Sequence, residues 1–377
     1  MKWVRSHFKL SIKLALITLL IIIFVLFLIL KNNQEICEWW TVNFVNGYLN
    51  FFGHITKYVN FSFTEIVMLG VIIISIIFLV FCLIYLLRRK FNRSLHFFLN
   101  FALVFLSVFT LYEVTAEMAY NRKPLNIPLY EEKVDKTEFR KVIEYFINDL
   151  NECSNHLEFR EDGELIEPLS HEELNKQLEI EYQKYPNDYL LSFTTYTKPM
   201  ISSFMYREFH ITGMTFMPTS EANVNSLNVN AGKPFTYAHE LAHTKGAMRE
   251  EDADLVAAYI TLHSDNYYLR YSGYYYTMGS LLYLTDYTGV ETDKAELYNM
   301  ISDAFYKNNT FNRDYWALHD SWAKIANWWN DIYLKFSGEK SGTDSYGDDD
   351  PVVDPSKKEI TSFSNYQKLY FSLYYNK

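Results

Sequence analysis

His239-Glu240-Leu241-Ala242-His243 is the stretch of this 377-residue chain that decides how its largest part folds. Positions four apart share one face of an α-helix, so both imidazoles can bind one metal ion. Glu240 then lies beside that ion, where it can deprotonate a bound water. The stretch predicts a helix with two zinc ligands, His239 and His243, and a catalytic base, Glu240. The alternative is a helix whose histidines only face solvent or pack, because five residues can match by chance.

The residues after this motif supply two acidic candidates. Gly246 fits the left-handed position that ends a helix, so the chain can reverse and begin a second helix near Arg249. Glu250 and Asp254 lie four residues apart on one face of that helix, where two like charges repel. A divalent cation and the N–H of a ligating histidine would remove this repulsion. We therefore expect Glu250 to be the third zinc ligand and Asp254 to orient a ligating histidine.

Two other positions compete for the third ligand. Glu251 is adjacent but would point about 100° away around the helix. In the related pattern HExxHxxGxxH the third ligand would fall on Arg249, which cannot bind zinc. The Glu-x-x-Ala-Asp arrangement resembles that of glutamate-zincins, and the resemblance implies Glu250 as the ligand. The short gap after His243 demands a tight turn, so Glu251 stays open.

The first third of the chain is apolar enough to span a membrane. Apolar runs occupy about 14–30, 66–87 and 97–115, and with its flanks each is long enough to cross a hydrocarbon core of about 30 Å. The sequence therefore predicts a membrane region, 1–119, with three spans. The alternative for each run is a buried helix of a globular protein.

Basic residues predict the orientation of these spans. Four of them precede the first run with no acid among them, Lys2, Arg5, Lys9 and Lys13, and another group at 88–93 separates the second and third runs. The positive-inside rule places both groups in the cytoplasm, so three crossings put the rest of the chain outside the cytoplasmic membrane. Lys31 to Gln34 contains no signal cleavage site, so we expect the first run to be retained. A topology with two spans and a cytoplasmic domain is the alternative.

The segment 120–336 is long enough for one domain with its own core. Helical periodicity runs through Glu138–Leu150 and His171–Tyr185. Strand patterns at 211–216 and 222–227 come shortly before the HExxH motif. We therefore expect a multi-pass α-helical membrane region followed by a mainly helical α+β zincin-like domain with a small sheet. The composition of 337–358 predicts a flexible acidic linker, and 359–377 predicts an aromatic C-terminal helix.

Further side chains are candidates for the reaction. Glu221 and Asn225 lie at the expected hairpin and could hold the substrate backbone or its termini; a turn cap and a surface polar residue are the alternative. His263, Arg270 and Tyr271 are candidates for stabilising an oxyanion, since zincins commonly aim such side chains at it. Aromatic clusters of this kind also form ordinary core.

Charge and cysteine content limit the partners. The formal net charge is −10, with no basic stripe or nucleic-acid-binding module, so we expect no nucleic acid partner. Of the three cysteines, Cys82 falls in the second apolar run. Cys37 and Cys153 are both expected outside the cytoplasm and could form a disulfide.

Six segments carry a resemblance to one protein family: Phe61–Ile66, Tyr120–Arg122, Lys198–Pro199, Thr219–Asn225, Pro234–Thr236 and Arg270–Tyr274. In them the chain resembles the bacterial membrane proteins called domain of unknown function 3810, a name that assigns no substrate. Relatives tend to have Glu and Asn where this chain has Asp252 and Asp254. That difference keeps the hydrogen-bonding ability of position 254.

The motif and the spans together predict a membrane-anchored zinc metallopeptidase. We expect one Zn²⁺ ion, a peptide or protein substrate, and hydrolysis on the outer side of the cytoplasmic membrane. The alternative is a non-catalytic membrane receptor or scaffold with a structural zinc site, although such sites usually close the fourth position with a protein ligand. An intramembrane protease is disfavoured because Lys233, Lys245 and Arg249 flank the motif.

Overall fold

The computed structural model describes residues 2–185, 189–192, 195–337, 351–354 and 359–376. The chain folds into two compact units. The first comprises Met1–Lys123 and the short segment Phe216–Glu221, and the second comprises Pro124–Thr215 and Ala222–Lys377. The membership of Phe216–Glu221 in the first unit was not predicted.

The first unit is helical. Its α-helices are α1 (Lys2–Leu30), α2 (Gln34–Trp40), α3 (Asn46–Thr56), α4 (Phe63–Leu87), α5 (Phe91–Tyr112) and α6 (Met118–Tyr120), with π-helical turns over Thr41–Val45 and Glu113–Glu117. Three stretches are long and apolar enough to cross a membrane: Phe8–Leu30, Phe63–Leu87 and Phe91–Tyr120. The prediction of three apolar helices is confirmed. Each is longer than its apolar run, because helical hydrogen bonding continues into flanking polar residues.

The segment Phe216–Glu221 joins the first unit through hydrogen bonds to its helices. The Glu221 carboxylate accepts bonds from the backbone N–H and the hydroxyl of Thr64, at 2.6 and 2.8 Å. Thr64 lies in the first turn of α4, where unpaired N–H groups and the helix dipole favour an anion. The Tyr48 hydroxyl also donates to the Pro218 carbonyl, at 2.5 Å.

Buried ion pairs join the ends of the apolar helices. The Lys31 ammonium, just after α1, lies 3.3 Å from the Glu113 carboxylate and 2.8 Å from that of Glu117. Arg122, fully buried after α6, pairs with Glu38 of α2 at 2.8 Å. The carboxylates of Glu113 and Glu117 and the guanidinium of Arg122 are shielded from water and need a partner of opposite charge, which explains why charges persist beside apolar helices.

The second unit is mainly helical with a small sheet. Its elements are α7 (Lys136–Asn155), α8 (His171–Lys184), β1 (Thr197–Pro199), α9 (Ser203–Glu208), β2 (Gly213–Phe216), β3 (Glu221–Val224), α10 (Lys233–Thr244), α11 (Glu250–Leu262), α12 (Tyr267–Tyr283), α13 (Asp293–Met300), α14 (Asp303–Ala317), α15 (Ala323–Ser337), β4 (Val352–Asp354), β5 (Glu359–Ser362) and α16 (Asn365–Tyr375). The last residue of β2, Phe216, and the first residue of β3, Glu221, are the two ends of the segment that belongs to the first unit. Helices α7 and α8 are those expected from periodicity.

The three-stranded sheet has the order β1-β3-β2, with β1 and β3 parallel and Thr197 opposite Ala222. Strand β2 is therefore at an edge. The second predicted strand ends early, at Val224, because Asn225 turns the chain. The side-chain amide of Asn225 donates to the Ile211 carbonyl at 2.9 Å, and its carbonyl oxygen accepts from the N–H of Leu227 at 2.9 Å.

The C-terminal region differs from its prediction. Within the predicted linker 337–358, Val352–Asp354 form strand β4, which pairs antiparallel with β5. Residues 338–350 and 355–358 lie outside the described residues. The predicted C-terminal helix begins only at Asn365, because Ser364 and Gln367 form a capping box at that point.

One large core holds the second unit together. Helix α10 packs against α11 and α12, and α7, α8 and α16 complete the layer around them. Fully buried small residues on α10 and α11, Ala238, Ala242, Ala253 and Ala257, let these two helices approach closely. This close packing positions the side chains of the HExxH motif against those of α11.

Candidate metal centre

A tight reversal between α10 and α11 builds the site. Gly246 has φ +82°, as predicted for the residue that ends the HExxH helix. Its N–H donates to the His243 carbonyl at 3.0 Å, and the N–H of Ala247 donates to the Ala242 carbonyl at 3.1 Å. The chain then enters α11 at Glu250. Gly246, in its left-handed conformation, makes the tight turn that the short gap between His243 and Glu250 requires.

His239, His243 and Glu250 converge on one point. One ligand atom from each lies within 4.8 Å of the others. The carboxylate Oε2 of Glu250 is 3.1 Å from Nε2 of His239 and 3.6 Å from Nε2 of His243. The competing side chain, Glu251, is half exposed and lies 3.9 Å from Arg249. The structure therefore brings together the three residues expected as metal ligands, with Glu250 rather than Glu251 as the third.

Both imidazole rings are oriented by bonds at their other nitrogen. Nδ1 of His239 donates to the Asp254 carboxylate at 2.7 Å, and Nδ1 of His243 donates to the Ala247 carbonyl at 2.8 Å. With a hydrogen on each Nδ1 atom, Nε2 is the nitrogen of each ring that can bind a cation once it has released its proton. Asp254 thus holds the position expected of the residue that orients a ligating histidine.

The side chains of the cluster shift one another's pKa values. Burial alone would raise the pKa of Glu250, but the neighbouring His243 and His239 outweigh it and hold the pKa well below its ordinary value. Burial would lower the pKa of His239, but Asp254 and Glu250 raise it well above normal. An ionised carboxylate with two imidazoles is a donor set that suits a divalent zinc ion, and it leaves a fourth position open.

Glu240 lies against strand β2, close enough to His239 and His243 for their charges to act on it. Its side chain is buried, and the Thr215 hydroxyl donates to Oε2 at 2.8 Å. Desolvation raises the pKa of this carboxyl group, while the charges of His239 and His243 oppose that shift. A Cβ atom at Gly213 would overlap the Glu240 carboxyl group. Strand β2 therefore supports the expected catalytic base.

Sequence reasoning missed Gly213 and Thr215. Both lie in the strand expected shortly before the motif, and a glycine inside a strand indicates close approach of another group. That signal was available. The sequence does not show, however, that the group approaching Gly213 is Glu240.

Glu221 and Asn225, the residues predicted to bind substrate, make their hydrogen bonds within the fold. Both side chains are fully buried. Glu221 is bound to Thr64 of α4, and Asn225 closes the turn between Ile211 and Leu227. Their polar atoms are occupied within the fold, so the capping interpretation is the better one.

The expected oxyanion residues are also placed elsewhere. Tyr271 is fully buried, and its hydroxyl donates to Asn308 at 3.0 Å. His263 follows the last turn of α11, about 20 Å along the helix from Glu250 at 1.5 Å per residue. Its Nδ1 bonds to the Tyr259 carbonyl at 2.9 Å. Arg270 pairs with Asp149 at 3.0 Å. These residues stabilise the core and its surface.

The expected Cys37–Cys153 disulfide is absent, since all three cysteines are free. The thiol of Cys37 lies 3.4 Å from the Lys31 carbonyl oxygen in the first unit. Cys153 is buried in the second unit, where its sulfur accepts from Arg270 at 3.4 Å. Each thiol is packed within its own unit.

Comparison with known proteins identifies one family. Neither the curated proteins nor the solved structures contain a match to this chain. The family described as "Protein of unknown function (DUF3810)" matches residues 40–349, which include the second and third apolar helices and all three residues of the cluster. Because the match covers well over half of the sequence, the chain belongs to the DUF3810 family.

Proposed function

We propose that this protein is a membrane-anchored zinc metallopeptidase that cleaves peptide bonds outside the cytoplasmic membrane. The observation that carries this proposal is the convergence of His239, His243 and Glu250, whose ligand atoms lie within 4.8 Å of one another. Two imidazoles and one carboxylate are a common protein ligand set of catalytic zinc. A structural site would be expected to add a fourth protein ligand, and the cluster of described residues contains three.

The chain orients the proposed ligands through its own hydrogen bonds. Asp254 and the Ala247 carbonyl fix both imidazole rings with Nε2 toward Glu250. A zinc ion held there would polarise a substrate carbonyl and lower the pKa of water. The carboxylate of Glu250 contributes the negative charge that offsets part of the charge of the ion.

Glu240 is the proposed proton carrier. Burial and the bond from Thr215 hold its carboxyl group in one orientation beside the two ligating histidines. Its raised pKa brings the group closer to the range in which it can accept a proton and later release it to the leaving amine. Gly213 and Thr215 are positioning residues for this carboxylate.

The edge strand favours an extended peptide as substrate. Strand β2 has β3 on one side in the sheet, and it passes directly over Glu240. A peptide added to an open strand edge gains backbone hydrogen bonds without depending on its side chains. Such binding would bring the peptide backbone near the proton carrier.

The basic residues before α1 and between α4 and α5 support an outward-facing catalytic unit. They are the groups that the positive-inside rule retains in the cytoplasm, and three crossings follow from the three apolar helices. Labelling of an introduced cysteine at Asn121 in intact cells would test this orientation. Reaction with a membrane-impermeant reagent is expected, and reaction only after lysis would contradict it.

The function is tested on the full-length protein in lipid nanodiscs with a mixed peptide library. Wild type is expected to contain one zinc ion and to cleave peptides. Glu240→Gln should retain the zinc and lose activity by roughly 10²–10⁴-fold, the usual contribution of a general base. Glu251→Gln, a change at an exposed neighbour, should alter neither property. Undiminished cleavage by Glu240→Gln would refute the assignment, and zinc without any cleavage by wild type would favour the scaffold alternative.

A further inference from the structure

Helix α15 exposes a face of large apolar side chains. Trp322, Ile325, Trp328 and Trp329 are 52%, 45%, 57% and 61% exposed. Trp322 precedes the helix by one residue, and at about 100° per residue it shares one face with Ile325 and Trp329, with Trp328 bordering that face. Three of the chain's seven tryptophans therefore lie on the surface. Packing in the protein's own core does not explain why large apolar side chains occupy these positions.

Helix α9 extends this surface. Phe204 and Met205 are 62% and 48% exposed. The backbone N–H of Trp322 donates to the Glu208 carbonyl at 3.1 Å, and the ring of Trp322 lies 6.2 Å from that of Phe209. The start of α15 is therefore fixed against the end of α9. We define the tryptophan surface as Phe204, Met205, Trp322, Ile325, Trp328 and Trp329.

We propose that the tryptophan surface docks into the headgroup region of the lipid bilayer that holds the chain's own apolar helices. Tryptophan favours this region because its ring is apolar and its N–H can still meet a polar partner. The covalent connection is short, since the third apolar helix ends at Tyr120 and the second unit begins at Pro124. Four extended residues span about 14 Å at most, so Pro124 stays within that distance of the end of the third apolar helix.

The charges around the apolar face of α15 fit a lipid partner. Lys324 and Lys335 are eleven residues apart (335 − 324 = 11), so they lie about 20° from each other around the helix, beside Trp328. Both are exposed, and Lys335 also pairs with Asp331 at 2.7 Å. Lysines at the border of an apolar helix face reach lipid phosphates while their methylene chains contact the interface.

The surface is connected to the metal centre by a short, hydrogen-bonded segment. The N–H of Ile211 donates to the Tyr206 carbonyl of α9 at 2.9 Å, and β2 begins at Gly213 beside Glu240. Docking would therefore hold the substrate-binding edge close to the lipid. Membrane docking does not require the cluster to be catalytic, and it can be measured without any peptide.

Fluorescence quenching tests the proposal on the full-length protein. Wild type and the triple variant Trp322→Phe, Trp328→Phe, Trp329→Phe are placed in nanodiscs of plain lipid and of lipid brominated near the headgroup. In each lipid, the emission spectrum of wild type minus that of the triple variant reports the three surface tryptophans. We expect bromine to quench most of that difference. Equal difference spectra in both lipids would overturn the proposal, including the case in which a second copy of the chain covers the surface.

A matched variant controls for indirect effects. Trp316 is half-buried, packs against His210 with ring centroids 5.2 Å apart, and is not part of the tryptophan surface. The emission lost in Trp316→Phe should be independent of bromine. If the triple variant unfolds, as judged by circular dichroism, the single variant Trp329→Phe provides the same measurement with a smaller change. Bromine-insensitive emission from Trp329 would then overturn the proposal.

Discussion

Gly213 leaves the space that the carboxyl group of Glu240 occupies: a Cβ atom added to Gly213 would lie 2.6 Å from Cδ of Glu240. Gly213→Ala should therefore displace the carboxylate without touching a metal ligand. We expect peptide hydrolysis to fall at least about tenfold, within the range of general-base contributions, while the zinc content is unchanged. Gly279→Ala is the control, because the space around Gly279 is open. Full activity in Gly213→Ala would show that Glu240 does not need its observed position.

Replacing the third ligand should remove the metal. Glu250→Gln exchanges an ionised oxygen for a neutral amide between two imidazoles, so zinc affinity measured by competition with a chelator should fall by more than 10²-fold, beyond the loss expected for a residue that only orients a ligand. Glu251→Gln should bind as wild type does, since that side chain lies outside the cluster. Equal losses in both variants would contradict the choice of Glu250.

Asp254 should act through the orientation of His239. Asp254→Ala removes the acceptor of the 2.7 Å bond to Nδ1 and should weaken zinc binding by about 10–100-fold. Asp254→Asn keeps an acceptor oxygen, so it should retain most of the affinity. The order wild type, Asn, Ala is the expected outcome of the same chelator titration. A variant Asp254→Ala with wild-type affinity would exclude this role.

Glu221 should matter for stability and not for catalysis. In Glu221→Ala the buried N–H and hydroxyl of Thr64 lose an acceptor, which costs about 1–3 kcal/mol. The thermal midpoint of the protein in nanodiscs should fall, and the KM for peptides should not change. A raised KM at unchanged stability would restore the substrate-binding interpretation.

His171 makes the second unit sensitive to acid. Its Nδ1 accepts from the Tyr237 hydroxyl and its Nε2 donates to the Thr197 carbonyl, both at 2.9 Å. Burial lowers the pKa of His171 below its ordinary value of 6.5. As the pH falls below about 6.5 the unfolded chain takes up the proton first, so stability decreases. Chemical denaturation at a series of pH values should show this loss, and His171→Gln should reduce it.

The parts that could be predicted are those encoded locally. Helical spacing placed His239, His243 and Glu250 on facing surfaces, and one glycine indicated the reversal between them. The three apolar helices could be predicted from the length and composition of the apolar runs alone. Gly213 and Thr215 could not be assigned because the strand touches Glu240 through tertiary packing, and a strand pattern does not name its neighbour.

The partners of several candidate site residues could not be predicted from the residue type. Glu221 and Asn225 are polar residues at a hairpin, and sequence alone does not tell that Thr64, far earlier in the chain, occupies the Glu221 carboxylate. Tyr271 is one of 31 tyrosines, so residue type alone could not separate a site tyrosine from a core tyrosine.

The three proposed metal ligands all come from one short piece of chain, 239–250. Closing so small a loop costs little chain entropy, so these three side chains can meet early in folding, and an ion could bind and stabilise the α10–α11 hairpin at that stage. The alignment of Glu240 depends instead on a strand that arrives from outside the hairpin. If the proposed function holds, ion binding and catalysis have separate folding requirements, and a chain with a misfolded sheet would bind the metal without catalysing hydrolysis.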